Sequence, residues 1–548
     1  MRRTRAPWFT LLAAVGAVVC TATPAGAIPP AGPGPYYVDW EERNAREADP
    51  LPSEFKLINY FFSRVTASNV VGDPSGLKGV SLGPIGPGTT GSQTRVDNDL
   101  PAFFVEQRWI PVIQYAPHFV DGLAAFRAQF EVDYMWGQAA NAIQNNQGGG
   151  FNADQVNIQT KNVNVAIYPT RNPQRLSILI GTQSIYDSIY DPTITSLFDI
   201  IKTGYKLTYF GTDATGLSVY GKYGGIWKAS FIPLEATQPD KATKDDPRLK
   251  FAWLATLDYA YVVQPGTVVG LSFWHLQDAT KGKAFAFEGL VRGGPASSGL
   301  SGFTGTATFN IDEPNGNVEF IGAHFHHNIH FDNGDFAASG FMMLNVGQYR
   351  SQAETTELNQ KIDILGLSAN LEGLYNWGKT TNDVVSLETM FVSGDSDPTD
   401  GKYKSAFTLN QYGLPGSVWF NHKMLLLFPF TQTVSNYTGA VTDISNQGYG
   451  LMTVLGAARW DIIPYTLNLK GGLGYAMSTV RPPDLTDGVS RGRTIGLEVN
   501  AELTWNIRYL MTVGLHAGYM VPGSFYDGND QVAANPWVMF TTFTWYAF

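Results

Sequence analysis

The chain reads as all-β: a transmembrane antiparallel β-barrel of 16–20 strands, with 18 the expected number and long extracellular loops. Three observations predict it. Segments of about ten residues repeatedly alternate apolar and polar side chains, the period-2 mark of a strand whose two faces meet different surroundings. Hydrophobic residues make up 44% and aromatics 13% of the chain, yet only 15% is charged. That is little charge for a wholly water-facing surface, and no later stretch has the ~20 apolar residues of a membrane helix. Finally, Trp537–Phe548 is an alternating, aromatic-rich strand at the C-terminus, an edge that needs a partner to avoid aggregation.

The elements follow in chain order. Arg2, Arg3 and Arg5 precede a short apolar run from Trp8 to Cys20, and Ala25-Gly26-Ala27 offers small residues for cleavage. Residues 1–27 are therefore expected to be a signal peptide. Its removal lowers Lys+Arg from 37 to 34 against 47 Asp+Glu, a formal net charge of −13. It also removes Cys20, the only cysteine, so a mature chain has no thiol for a disulfide, a thiolate metal site or catalysis. The acidic balance argues against a nucleic-acid partner. Residues 28–53, opening Ile28-Pro-Pro-Ala-Gly-Pro-Gly-Pro35, read as a periplasmic Pro-rich lead-in, and 54–548 as the barrel.

Within the barrel, a first strand pair is expected near Phe55–Val65 and Phe103–Tyr115. In Phe126–Trp136, Phe126, Ala128, Phe130, Val132, Tyr134 and Trp136 fall on one face, and Arg127, Gln129, Glu131, Asp133 and Met135 on the other. Phe251–Tyr261 and Leu365–Trp377 repeat the division, with Thr256 and Asp258, then Ser368, Asn370, Glu372 and Asn376, pointing inward. Five more strands crowd the end: Tyr449–Asp461, Tyr465–Ala476, Ile495–Asn506, Tyr509–Tyr519 and Trp537–Phe548. Trp136, Tyr261, Trp377, Trp460, Tyr465, Trp505, Tyr509 and Tyr519 stand near strand ends, where interfacial girdles lie. Insertions at 66–100, 137–155, 185–202, 234–248, 277–317 and 395–445 set the strand number below the limit of dense packing. In one of them Asp191-Pro192 could cap a short helix carrying Leu197, Ile200 and Ile201 on one face, lying in the lumen or on the surface.

The residues expected to line the lumen are Arg127, Lys250, Arg459 and Lys470, with Glu131, Asp133, Asp258, Glu372, Glu388, Glu498 and Glu502. Together they describe a polar, mildly acidic interior that sets the field a solute meets. Four of the eight histidines lie within Gly322-Ala-His-Phe-His-His-Asn-Ile-His330. His324, His326 and His330 share one strand face, and imidazoles at i and i+2 are ~7 Å apart, close enough to hold one divalent metal ion. A polar inward face near the barrel mouth is the simpler explanation. In Ser393-Gly-Asp-Ser-Asp-Pro-Thr-Asp-Gly401 the clustered carboxylates suit a hard cation, but their spacing departs from the EF-hand loop, and an Asx-type turn accounts for them. No other cofactor is implied.

Trp537–Phe548 resembles the closing strand of bacterial outer-membrane β-barrels. That resemblance makes Phe548 the signal read by the outer-membrane assembly machinery. It also puts Val538, Phe540, Thr542, Thr544, Tyr546 and Phe548 toward lipid, and Phe543 and Trp545 toward a lumen constricted by an inserted loop. Val384–Val392 running into Ser393–Gly401, with Phe407 beyond, resembles the alginate-export family of outer-membrane porins. So do Phe126-Arg-Ala-Gln-Phe-Glu-Val-Asp-Tyr134 and Leu176-Ser-Ile-Leu-Ile-Gly-Thr-Gln183. The family implies an 18-stranded monomeric barrel in a Gram-negative outer membrane, passing solutes or anionic polysaccharide.

The leading functional reading is a channel, not an enzyme: passive diffusion of small hydrophilic solutes through the lumen, with membrane lipid as the other partner. A polysaccharide exporter of the alginate kind is one alternative. A plugged metal-binding or structural barrel is another. No His-Glu-x-x-His metalloprotease helix is present.

Overall fold

The computed structural model describes residues 54–72, 94–99, 102–136, 153–172, 175–184, 213–236, 251–279, 311–329, 331–353, 360–397, 400–407, 424–427, 446–482, 484, 488–508, 510–528 and 532–547. The expected leader, the Pro-rich segment, the 191–201 helix and Phe548 lie outside them. Eighteen long strands make the wall. They are β1 (Phe55–Ser68), β2 (Ala102–Tyr115), β3 (Ala124–Trp136), β4 (Ala153–Ile167), β5 (Leu176–Ser184) and β6 (Asp213–Lys222). Next come β7 (Ile226–Ala236), β8 (Phe251–Gln264), β9 (Thr267–Asp278), β10 (Pro314–His327), β11 (Phe336–Ser351) and β12 (Lys361–Asn376). The last are β13 (Val384–Val392), β14 (Leu451–Ile463), β15 (Leu467–Met477), β16 (Thr494–Arg508), β17 (Met511–Pro522) and β18 (Trp537–Ala547).

Each long strand pairs antiparallel with its neighbours in the chain, and β18 returns to β1 from Asn59↔Ala547 to Ser68↔Val538. Closure removes the exposed edge that so apolar a last strand would otherwise present. Side-chain hydrogen bonds stitch the outer end of this seam: Trp537 N–H donates to Asn69 Oδ1 (2.7 Å), and Asn69 Nδ2 donates to the Asn535 carbonyl (2.8 Å). A two-residue strand, Lys402–Tyr403, pairs parallel with β12 at Asp363 and Ile364, extending the wall past the end of β13.

An even strand count puts the start of β1 and the end of β18 at one rim. That rim carries short turns, such as Pro265-Gly266 between β8 and β9, where Gly266 sits at φ +78°. A side chain there would be strained, which is why a two-residue hairpin needs glycine. The opposite rim carries the long connections, the longest running from β13 to β14 across residues 393–450. This is the asymmetry of a membrane barrel, with short periplasmic turns and long outer loops.

At the short-turn rim, Asp383 ties two hairpins together. Its Oδ1 accepts the Asp461 N–H (2.8 Å), and its Oδ2 accepts the N–H groups of Lys379 (2.7 Å) and Thr380 (3.0 Å). Thr380 Oγ1 donates in turn to Asp461 Oδ2 (2.8 Å).

The alternation seen in the sequence sorts residues as a lipid-facing wall requires. On β8, Leu257, Tyr259 and Tyr261 are exposed while Thr256 and Asp258 are buried. On β12, Leu365, Leu371 and Tyr375 are exposed and Ser368 and Asn370 buried. Exposed aromatics stand near both rims, including Tyr261, Trp377 and Trp460 at the short-turn end and Trp136 and Tyr519 at the other.

The last strand departs from expectation. Val538, Phe540, Thr542 and Tyr546 are buried, whereas Trp545 is 43% exposed. Phe543 meets Phe61 edge-on at 6.1 Å. The row expected to face lipid therefore faces inward, and Trp545 faces out. Both faces of this strand are apolar, so alternation alone does not fix its orientation. The inward neighbours do: Phe540 stacks on His516, and Thr542 hydrogen-bonds the same ring.

Much of the inner wall is itself apolar. Trp274, Phe320, Phe341, Met343 and Tyr349 belong to one buried cluster, which also takes in Phe407 and Met424–Leu427 from the long β13–β14 connection. Phe407 lies between Phe320 and Tyr349, with ring centroids 6.4 Å from each, and its N–H donates to Asn345 Oδ1 (3.1 Å). The lumen is thus partly filled by the chain's own insert.

Candidate functional site

A belt of polar groups crosses β15, β16, β17, β18, β1 and β2 at one level of the inner wall. Lys470, Glu502 and His516 are consecutive cross-strand neighbours, because the registers set Lys470 beside Glu502 and Glu502 beside His516. Lys470 Nζ pairs with Glu502 Oε1, and Glu502 Oε2 lies 2.6 Å from His516 Nδ1. The other imidazole nitrogen, Nε2, is 3.1 Å from Thr542 Oγ1. A carboxylate held between an ammonium and an imidazole offsets the cost of burying all three, and the two hydrogen bonds fix the ring.

The belt continues as a stack of rings and charge. The His516 ring lies 4.4 Å from Phe540 at 11°. Arg64 lies over Phe540 at 5.3 Å and over Phe104 at 5.8 Å, in the range where a cation is drawn to an aromatic face. Arg64 Nε is 2.5 Å from Glu106 Oε1, and the two side chains are 3% and 0% exposed. Gly514 makes this crowding possible: a side chain there would collide with both His516 and Thr542.

Four residues toward the outer rim on β16, a second carboxylate is used differently. Glu498 is fully buried and accepts three consecutive backbone N–H groups from the insert: Leu425 (2.7 Å), Leu426 (3.0 Å) and Leu427 (2.7 Å). Asn500 Nδ2 adds a fourth bond at 3.0 Å. Such charge-assisted bonds are about twice as strong as neutral ones. Gly474 faces Met424 and Leu427, and Gly518 faces Leu425 and Leu426, so the wall is hollowed where the insert sits.

The other residues predicted from sequence fall as follows. Asp258 is buried, accepts the Trp274 indole N–H (3.2 Å) and lies opposite Lys228. Glu372 and Glu388 are cross-strand neighbours. Glu388 accepts Asn370 Nδ2 at 2.6 Å, and Ser339 Oγ stands 3.5 Å from Glu372. Arg459 is half-buried beside Lys470 in register, and Arg127 is half-buried opposite Gln114 and Asn164. Lys250, His330 and the side chains of Glu131 and Asp133 lie outside the described residues.

His324 and His326 are buried side by side on the inward face of β10, and His327 bonds Thr267 Oγ1 (2.7 Å) on the other. Among the described residues no three histidine, cysteine or acidic groups converge as a metal site would need. In the 393–401 segment, Asp395 Oδ1 accepts the Asp397 N–H (3.0 Å) and Asp400 Oδ1 the Lys402 N–H (2.9 Å), both Asx turns. The positive charge among these acids belongs to Lys404, whose Nζ is 2.9 Å from Asp400 Oδ2. That bond holds the Asp400 carboxyl below its ordinary pKa and raises the lysine's. Gly79-Val-Ser-Leu-Gly83 spells a Gly-x-Ser-x-Gly pattern and lies outside the described residues.

Sequence reasoning missed Arg64, Glu106, Lys228 and His516. Arg64 shares its inward face with Tyr60 and Phe62, while Asn59 and Ser63 fall on the outer one, so the alternation carries no sign. His516 had a signal: it shares one strand face with Gly514 and Gly518, against Val513, Leu515 and Ala517 on the other.

No family model matches the chain, and no curated protein matches it. Among solved structures it is similar to a BenF-like porin from Pseudomonas fluorescens Pf-5, at 9% identity and a TM-score of 0.44, covering 90% of this chain and 98% of that one. It is similar to Pseudomonas aeruginosa OccK2 (OpdF) in complex with glucuronate, at 11% identity and 0.45, with the same coverage. It is also similar to Pseudomonas putida OprB, at 12% identity and 0.40, covering 93% and 97%. The strand count and closure stand on this chain's own pairing.

Proposed function

We propose that the protein is an outer-membrane channel through which small hydrophilic solutes diffuse passively. The observation that carries this reading is the closed wall of eighteen strands, apolar outside and studded inside with hydrogen-bonded charges. Charge has a reason to be on the inner face of a membrane barrel when that face meets water and solute. Membrane lipid covers the outer face, and Phe548 engages the assembly machinery.

The field in the lumen is acidic. Among the charged side chains that the described strands bury, Glu106, Asp258, Asp278, Glu388, Asp461, Glu498 and Glu502 outnumber Arg64, Lys228 and Lys470. An arginine-rich tube would suit a polyuronate, so the finer alginate-export reading has less support than a channel for neutral or cationic solutes.

Planar-bilayer recording of the purified protein tests the proposal. Discrete conductance steps with a reversal potential favouring cations are expected. A barrel that folds but never conducts would sink the channel reading, and clear anion selectivity would overturn the charge assignment.

A further inference from the structure

The β13–β14 connection sends Met424–Leu427 into the barrel, and what holds it there is narrowly defined. Three successive amide hydrogens point at one carboxylate, and the side chains rest where Gly474 and Gly518 leave room. We infer that Met424–Leu427 is the constriction of the channel and that Glu498 is the residue that latches it in the lumen. This rests on the channel reading above and adds which segment narrows the path and which atom positions it.

The chemistry of the latch is specific to a carboxylate. Glu498 Oε1 accepts Leu425 N–H and Asn500 Nδ2, and Oε2 accepts Leu426 and Leu427 N–H. All four contacts are donors, so both oxygens must be acceptors. In Glu498→Gln the shape is kept, but either orientation of the amide sets an NH2 against at least two donors. A neutral side chain also forfeits the charge assistance of the remaining bonds. Glu498→Gln should therefore free the insert while leaving the wall intact, since the β16 registers with β15 and β17 do not use this side chain.

The position on the strand explains why this segment narrows the path. Glu498 lies four residues from the outer end of β16, ~13 Å below it at the rise of a strand. The insert therefore sits inside the wall and outward of the Glu502 belt. A solute entering from the long-loop side passes the insert first and the belt second.

A built-in tether makes the inference testable without relying on conductance alone. A Cβ at Gly518 would lie 3.3 Å from the Leu425 Cβ, so a shift of a few tenths of an ångström brings the pair into the ~3.5–4.5 Å range a disulfide spans. Leu425→Cys with Gly518→Cys should cross-link readily under mild oxidation in the otherwise native protein, read as a gel shift reversed by reductant. Adding Glu498→Gln should slow that cross-linking about tenfold. In bilayers, Glu498→Gln alone should raise unitary conductance, and the oxidised tether in the Glu498→Gln background should return it to the wild-type level.

Cross-linking that is equally fast with and without Glu498 would overturn the latch. Conductance steps present but identical in wild type, Glu498→Gln and the reduced and oxidised tether would overturn Met424–Leu427 as the constriction. Cross-linking that depends on Glu498 in a barrel that never conducts would keep the latch and sink the channel reading instead.

Discussion

Two glutamates on one face of β16, four residues apart, do opposite things. Glu498 is committed to backbone amides of the insert, and Glu502 to the side chains of Lys470 and His516. Around Glu498 the wall is apolar and packed against another part of the chain. Around Glu502 it is polar, and its members lie on six adjacent strands of the wall itself. An inward carboxylate in a barrel is thus not one kind of residue. Near an insert it is an anchor, and in the bare wall it neutralises its neighbours.

The largest test of that contrast is to remove the centre of the belt. Glu502→Ala leaves Lys470 and His516 buried without their anion and should cost ~3–5 kcal/mol in urea unfolding of the purified barrel. Replacing Lys470→Met and Glu502→Leu together should recover most of the loss, and failure to do so would mean the belt is more than mutual neutralisation. At the insert level the response should follow volume. Phe407→Ala should cost about 3 kcal/mol, whereas Phe407→Leu should cost well under half of that. Equal losses from the two would argue that Phe407 is not packed as described.

Asp383, at the short-turn rim, separates these lumenal effects from barrel stability in general. Burial pushes its pKa up, but the amide hydrogen bonds from Asp461, Thr380 and Lys379 outweigh it and hold the pKa below the ordinary 3.8. Its contribution is therefore fully present above the unfolded value and is lost as pH falls below about 4 toward the depressed folded pKa. Asp383→Asn should cost ~1–3 kcal/mol at neutral pH and flatten this acid limb of stability, with the Phe407 variants leaving the limb unchanged. The smallest effect belongs to the outer face. Trp545→Lys, near the rim, should cost ~1 kcal/mol or less. In wild type, lipids carrying a bromine quencher near the headgroups should quench Trp545 emission; no difference from a Trp545→Phe barrel would return that side chain to the lumen.

How much of this was legible follows from how each signal arises. The strands given bounds from sequence, such as Phe126–Trp136, Ile495–Asn506 and Trp537–Phe548, lie within a few residues of those observed, because each segment carries its alternation by itself. Leu257, Tyr259 and Tyr261 against Thr256 and Asp258 leave no ambiguity. The orientation of β18 was not legible, because Phe540 and Tyr546 on one face match Phe543 and Trp545 on the other in apolarity. Glu498 could be assigned to the inner face but not to its task, since the amides it binds come from about seventy residues earlier in the chain. Partners brought by a long insertion leave no periodic trace. Lys470 and Glu502 were both expected in the lumen, and only the register shows that they meet.

The seam between β1 and β18 has a temporal consequence. Ser68 Oγ bonds the Trp537 carbonyl at a sequence separation of 469, and the ring between Arg64 and His516 is Phe540 from the last described strand. No chain that stops before β18 holds all three members of that stack. A polypeptide stopped before residue 537 could pair β1 with β2 and lay down β14 through β17 in order, yet Arg64 and His516 would share no ring. The two halves of the belt are therefore joined through Phe540 only when β18 has closed the barrel onto β1.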